Sequence, residues 1–191
     1  VTAVLGAGGS VAGGDGSDTL VINVAAATFS DAAAQPRISG FEKLELGTAA
    51  TGSYNGAGFT GGYSLTGALT GNSTITNAVA NSTVTIGVTT GKTLDVVYAD
   101  ATGTADVANL VLSSAAALDL DTNADVTFAG VETINITSTD TNTTAHQNTL
   151  DLDVVAATSV VASGNAGLVM VNAGNVAITS FDASGITMAA V

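Results

Sequence analysis

The sequence contains no cysteine and no tryptophan, only one proline, and very few positive charges. Without cysteine, neither a disulfide nor a thiolate metal site can form. Three lysine and arginine residues stand against 16 aspartate and glutamate residues, so the formal net charge is −13. Because phosphate backbones and anionic membrane surfaces attract clustered positive charge, this balance argues against a nucleic-acid partner and against membrane binding. The charge favours a divalent cation, Ca²⁺ above all, as partner. The alternative is that the acidic residues simply keep an extracellular protein soluble.

Long apolar runs and large aromatic side chains are also scarce. No stretch reaches the roughly 18 apolar residues of a transmembrane helix, so no membrane insertion is expected, and no signal peptide opens the chain. Although 46% of the residues are hydrophobic, only 4% are aromatic, and small apolar residues dominate. Such residues suit the narrow interior of stacked coils. Together with 23 glycines, the many β-branched residues predict short strands joined by tight turns.

Short β-branched or alternating segments, bounded by glycine, asparagine, aspartate or serine, are the predicted strands. They cover residues 19–24, 43–46, 63–65, 83–88, 93–97, 109–112, 126–128, 133–137, 150–154, 159–161, 168–171, 176–178 and 186–188. This regular spacing is compatible with a sandwich, a barrel or a parallel solenoid.

An internal repeat decides among these architectures. Segments 20–22 and 40–46 recur without a gap as segments 110–112 and 130–136, with Glu42 and Glu132 at equivalent positions after a glycine. We expect both glutamates to satisfy backbone donors at a coil corner. The repeat predicts an all-β fold, a right-handed parallel β-solenoid of β-roll type with glycine-rich calcium turns. The chain is expected to be a fragment of a longer solenoid, with two weak repeats over about 18–105 and 106–191.

One motif carries specific chemistry. Residues 13–21, G-G-D-G-S-D-T-L-V, match the calcium-binding nonapeptide G-G-x-G-x-D-x-U-x at every fixed position. Glycines allow turns of positive φ that direct carbonyl oxygens at a cation, and Ca²⁺ takes about six to eight oxygen ligands. The predicted ligands are the carbonyls of Gly13 and Gly16 and the carboxylates of Asp15 and Asp18, of which Asp15 occupies a variable position. The alternative is a plain glycine turn with a solvated aspartate.

Two further acidic pairs are weaker candidates. Asp119 and Asp121, like Asp151 and Asp153, alternate with leucine, so the two carboxylates of each pair share one face of a strand. Such a face can chelate a cation but is more often simply solvated.

The sequence shows no catalytic motif, and no enzyme activity is expected. His146 is the single histidine and is predicted to be a loop residue, because it lies in a stretch rich in threonine and asparagine. A serine–histidine–aspartate triad has no G-x-S-x-G nucleophile turn to support it. One histidine without cysteine makes a zinc site improbable, and neither a Walker loop nor a dinucleotide-binding fingerprint is present.

Taken together, the nonapeptide at Gly13, the repeated Gly-Phe-Glu and Gly-Val-Glu, and segments 139–146 and 180–184 resemble the RTX-type calcium-binding S-layer proteins of the Caulobacter type. The resemblance covers essentially the whole chain, in the same order. It implies type I secretion, attachment to lipopolysaccharide through regions outside these residues, and calcium-dependent self-association of the solenoid into a two-dimensional lattice. The expected function is therefore that of a structural segment of an extracellular surface layer (S-layer) on a bacterial cell.

Two other functions remain open from the sequence. A repeat module of a secreted adhesin or biofilm-matrix protein would occur in many copies or beside a ligand-binding tip. An accessory RTX domain of a secreted enzyme would accompany a catalytic domain elsewhere in the same protein.

Overall fold

The computed structural model describes residues 9–26, 37–141, 146–171 and 177–187. These residues form two parallel sheets and a two-stranded ribbon. The eight strands of the first sheet are β2 (Thr19–Ile22), β4 (Lys43–Leu46), β6 (Gly62–Leu65), β8 (Thr83–Ile86), β10 (Val107–Ser114), β12 (Thr133–Asp140), β14 (Ser159–Gly164) and β16 (Ser180–Ile186). The six strands of the second sheet are β5 (Gly52–Asn55), β7 (Ser73–Ala78), β9 (Leu94–Tyr98), β11 (Asp119–Phe128), β13 (Gln147–Asp153) and β15 (Gly167–Val171). The ribbon pairs β1 (Val11–Ala12) with β3 (Ile38–Ser39).

The chain winds as a β-solenoid, as the sequence predicts. From β4 onward it alternates between the two sheets, so that one strand of each sheet makes one coil. Each strand pairs in parallel with the corresponding strands of the neighbouring coils, as β10 does with β8 and β12. This stacking satisfies the backbone donors and acceptors that an isolated strand would leave open. Within the described ranges, no helix has the length and apolar character needed to cross a membrane.

The core consists of columns of inward-facing side chains between the two sheets. In the first sheet, Leu20, Leu44, Tyr63, Val84 and Leu110 are neighbours in register, one per coil, and all are buried. The alternation of buried and exposed residues along each strand follows from the period of two. Burying a leucine or valine stabilises the fold by roughly 1.5–3 kcal/mol relative to exposing it.

The strand predictions are better for the first sheet than for the second. Neither β5 nor β7 is predicted, because each has few apolar residues apart from an inward Tyr54 or Ile75. The last two predicted strands are wrong where the structure describes them: residues 177–178 are not in a strand, and Ile186 ends β16 instead of beginning a strand. Residues 176 and 188 lie outside the described residues.

Candidate functional site

The turn before β2 contains the four predicted calcium ligands, Gly13, Asp15, Gly16 and Asp18. Gly14 and Gly16 have φ angles of +102° and +123°, which residues other than glycine rarely adopt. Asp15 and Gly16 are exposed at the tip of the turn, whereas Asp18 is half-buried at its base. The motif therefore forms a tight turn, with the Asp18 carboxylate on its inner side.

The turn is held by the next coil. The Gly13 N–H donates to the Ser39 carbonyl over 3.0 Å, and a Cβ atom on Gly13 would clash with the Gly40 carbonyl oxygen. The Asp18 N–H donates to Glu42 Oε2 over 2.7 Å. In return, the Glu42 N–H donates to the Asp18 carbonyl over 3.0 Å. The predicted role of Glu42 at a coil corner is confirmed.

One oxygen of the Asp18 carboxylate has no partner among the residues that the structure describes. Asp18 Oδ2 is buried and accepts no hydrogen bond from them, and it lies 4.0 Å from the position that a Cβ atom on Gly16 would take. A buried polar atom without a partner costs about 1–3 kcal/mol. An orphaned carboxylate oxygen beside a glycine turn, with the Glu42 carboxylate close by, makes an all-oxygen donor set of the kind that Ca²⁺ prefers. The residues present therefore fit this cation.

The second copy of the corner is completed by the protein itself. The Asp106 N–H donates to Glu132 Oε2 over 2.9 Å, as predicted for Glu132. Here, however, the Gly103 N–H donates to Asp106 Oδ2 over 3.0 Å. The oxygen that is orphaned in Asp18 is thus satisfied in Asp106. This contrast singles out the first corner as the one that lacks a partner.

Carboxylates elsewhere do not converge into a larger site. Across the described ranges, no group of three or more histidine, aspartate or glutamate side chains is placed to hold a metal ion. A cation at Asp18 would therefore depend on carbonyl oxygens as well as carboxylates. Asp151 and Asp153 alternate with buried leucines on β13, which places both carboxylates on its outer face. The side chains of Asp119 and Asp121 lie outside the described residues.

His146 precedes β13, as a loop residue would, but it belongs to a buried polar network that the sequence analysis missed. Its Nδ1 atom lies 2.9 Å from Asp140 Oδ2, and the two side chains are only 13% and 3% exposed. Its Nε2 atom lies 3.1 Å from Asn148 Oδ1. The same amide accepts the Leu118 N–H over 2.9 Å and donates to Ser138 Oγ over 3.0 Å. The network therefore ties both sheets together.

This network is not arranged as a hydrolytic triad. The Ser138 hydroxyl is fully buried and donates to the Gly167 carbonyl over 3.1 Å. His146 Nε2 faces the Asn148 amide, so the imidazole does not activate a serine. A signal for this network exists in the sequence, because Ser138 follows inward isoleucines on β12 and Asn148 precedes inward leucines on β13.

No protein-family model matches the sequence, and no characterised protein is similar to it at a significant level. The chain's own geometry and charge are therefore the indications of its function.

Proposed function

We propose that this chain is a structural segment of a calcium-dependent bacterial surface layer, secreted by a type I system and assembled on the cell surface. The observation that carries the proposal is the orphaned Asp18 Oδ2 in a nonapeptide turn packed against the next coil. Gly13 and Gly16 supply carbonyl oxygens, and Asp15 and Asp18 supply carboxylates. The role is structural and not catalytic, and lipopolysaccharide is bound through regions outside these residues.

Calcium supplies positive charge at the corner between two coils, and it is coordinated by oxygen ligands. Asp18 and Glu42 place two carboxylates at this corner, and the chain as a whole carries a net charge of −13. Such a charge opposes the close approach of copies. Neutralisation of the carboxylates at this corner lowers that repulsion. A ligand that binds only the folded state, at a concentration of about 100 times its Kd, stabilises this state by about 2.7 kcal/mol.

The outer faces of the solenoid support side-by-side association. Both sheets are built of stacked parallel strands, so their outer faces repeat at the strand spacing of about 4.8 Å. Large apolar side chains are exposed on both faces, with Val21 and Val161 on the first sheet and Val97 and Val169 on the second. A regular surface of this kind offers equivalent contacts to equivalent copies, which a planar lattice requires.

Calcium is expected to raise the thermal midpoint of unfolding, followed by circular dichroism, by about 5–10 °C at saturating concentration. Asp18→Asn should abolish most of this increase while leaving the midpoint in chelator nearly unchanged. Asp182→Asn is the matched control, because this carboxylate is exposed on β16 and should leave the calcium effect intact. An equal calcium response in the wild type and Asp18→Asn would remove Asp18 from the site.

Lattice formation is tested by negative-stain electron microscopy of the full-length protein, first chelated and then given millimolar calcium or magnesium. Ordered sheets that appear with calcium alone are the expected result. Folded monomers or rods in calcium would contradict the lattice, and would favour an adhesin module or an appendage of a secreted enzyme.

A further inference from the structure

The outer face of the first sheet differs in charge from that of the second. On its five central strands, from β6 to β14, every outward position is occupied by threonine, serine, asparagine, valine or glycine. On the second sheet, by contrast, Asp95, Asp151 and Asp153 lie on the outer face. In a chain whose net charge is −13, repulsion between two copies is least where this uncharged face meets its counterpart.

The uncharged face is also ordered within a single copy. Asn135 Nδ2 donates to Asn109 Oδ1 over 3.1 Å, and Asn109 Nδ2 donates to the Asn81 carbonyl over 3.1 Å. Because these amides are already fixed, little side-chain entropy is lost when a partner covers them. Val111 and Val161 add apolar surface beside the two amides. Low charge and partly apolar surface are typical of the core of a protein interface.

Opposite charges lie at the two ends of one row of outward residues on this face. The register of the sheet aligns the row from β4 to β16 as Lys43, Gly62, Thr83, Asn109, Asn135, Val161 and Asp182. Lys43 and Asp182 are both exposed, and each lies three strands from β10. Six strand spacings of about 4.8 Å, roughly 29 Å in all, separate them within one copy. Solvent ions screen an attraction over this distance.

We propose that a second copy of this chain packs face to face on this surface, related by a two-fold axis that runs parallel to the strands at β10. This axis reverses the strand order, so β4 of one copy faces β16 of the other and the row faces itself. Lys43 then lies opposite Asp182 of the second copy, and each such contact occurs twice. An axis perpendicular to the strands would instead place β4 on β4, with like charges opposed.

The same axis places a protruding side chain over a hollow. Gly62 has no side chain, and a groove of about 480 Å³, lined among others by Ser64 and Thr83, opens on this part of the face. Val161 of the second copy, 39% exposed on β14, lies over this groove. Thr83 faces Asn135 of the second copy, a hydroxyl opposite an amide. The row is therefore complementary to itself in charge, shape and hydrogen bonding.

The size of the face is sufficient for a weak but specific pair. The five uncharged strands span about 24 Å across the sheet, and the outward residues of β10 span about 20 Å along it. Pairing therefore buries about 1,000 Å² on the two copies together, which is the lower limit for a specific interface. The pairing names one contact of the lattice proposed above, but it involves no residue of the Gly13 turn and requires no calcium.

Sedimentation velocity of the full-length protein in chelator tests the pairing. The wild type should form a reversible dimer as its concentration rises. Val161→Lys should weaken this dimer about tenfold or more, because the interface would bury an unpaired ammonium group. Val97→Lys is the matched control, since Val97 is 38% exposed on the second sheet and its replacement should leave the dimer unchanged.

A charge swap tests the axis. Lys43→Glu places a carboxylate opposite Asp182 of the second copy and should weaken the dimer about tenfold, and adding Asp182→Lys should restore it. Lys43, Val161 and Asp182 are exposed, so the variants should fold, which far-ultraviolet circular dichroism verifies. A monomeric wild type, or a dimer unaffected by Val161→Lys, would overturn the face. A charge swap that fails to restore the dimer would overturn the two-fold arrangement.

Calcium separates this pairing from the proposed surface layer. A dimer in chelator that forms no ordered sheets in calcium would contradict the proposed function alone. Ordered sheets in calcium, formed by a protein that stays monomeric in chelator, would contradict the pairing alone.

Discussion

Replacing His146 with alanine is expected to lower the free energy of unfolding by about 3 kcal/mol. The substitution removes the imidazole nitrogen that lies 2.9 Å from the Asp140 carboxylate, whose side chain is 3% exposed. It also removes the group that faces Asn148 Oδ1. Removing the polar neighbour of a buried carboxylate is costly because the carboxylate stays desolvated. Urea denaturation followed by circular dichroism measures the loss.

The control for this change is Gln147→Ala, because Gln147 is exposed next to His146 and should change stability by no more than about 0.5 kcal/mol. A double-mutant cycle with Asp140→Ala should give a coupling energy of at least about 1 kcal/mol. Strictly additive effects would contradict a direct interaction between the two side chains.

The consequences of losing this network extend beyond one coil. Asp140 and Asn165 of the next coil exchange two hydrogen bonds, Asp140 N–H to Asn165 Oδ1 over 2.8 Å and Asn165 Nδ2 to the Asp140 carbonyl over 3.1 Å. In the opposite direction, Asn148 accepts the Leu118 N–H of the preceding coil. Because solenoid stability is a sum of coil and interface terms, the loss should weaken the contacts of three successive coils.

Gly164→Ala is expected to destabilise the protein by about 3 kcal/mol or more. Gly164 has a φ of +121°, and an added Cβ atom would clash with the carbonyl oxygen of Ser138 in the preceding coil. That carbonyl accepts the Ala166 N–H over 3.0 Å and cannot move freely. Both the strained backbone and the steric overlap therefore act against the variant, and the unfolding midpoint in urea reports their sum.

Gly87→Ala provides the comparison at a glycine without these constraints. Its φ is not positive, and an added Cβ atom would lie at ordinary contact distance, 3.4 Å from the Ser113 carbonyl oxygen. The variant should stay within about 0.5 kcal/mol of the wild type. Equal destabilisation by the two substitutions would show that the conformation of Gly164 is not the cause.

Local sequence patterns identify the elements that are determined by nearest neighbours along the chain. Alternation of apolar and polar residues locates strands such as β4 and β12, and the glycine spacing locates the turn before Asp18. The repeated glutamates, Glu42 and Glu132, mark equivalent corners, and the predicted hydrogen bonds to backbone donors are present at both. These features follow from side-chain periodicity and from the few conformations that glycine turns allow.

Strands with little apolar content escape such patterns. The segment Gly52–Asn55 has one buried apolar side chain, Tyr54, and forms a strand because β7 of the next coil pairs with it residue by residue. Pairing with a neighbouring coil compensates for the weak strand propensity of the segment. The identity of that neighbouring strand cannot be read from the sequence of the segment itself.

The sequence by itself determined the all-β class, the coiled repeat, the acidic surface and the turn at Gly13. Only the tertiary structure decided which polar atoms are satisfied. Asp18 and Asp106 occupy equivalent corners. The Gly103 N–H donates to Asp106 Oδ2, whereas Asp18 Oδ2 has no partner among the described residues. Likewise, the inward column of Leu112, Ser138 and Gly164 changes from apolar to polar where Asn148 faces it. The reason is physical: hydrogen bonding and desolvation depend on atoms within a few ångströms, which in a solenoid come from the coils before and after.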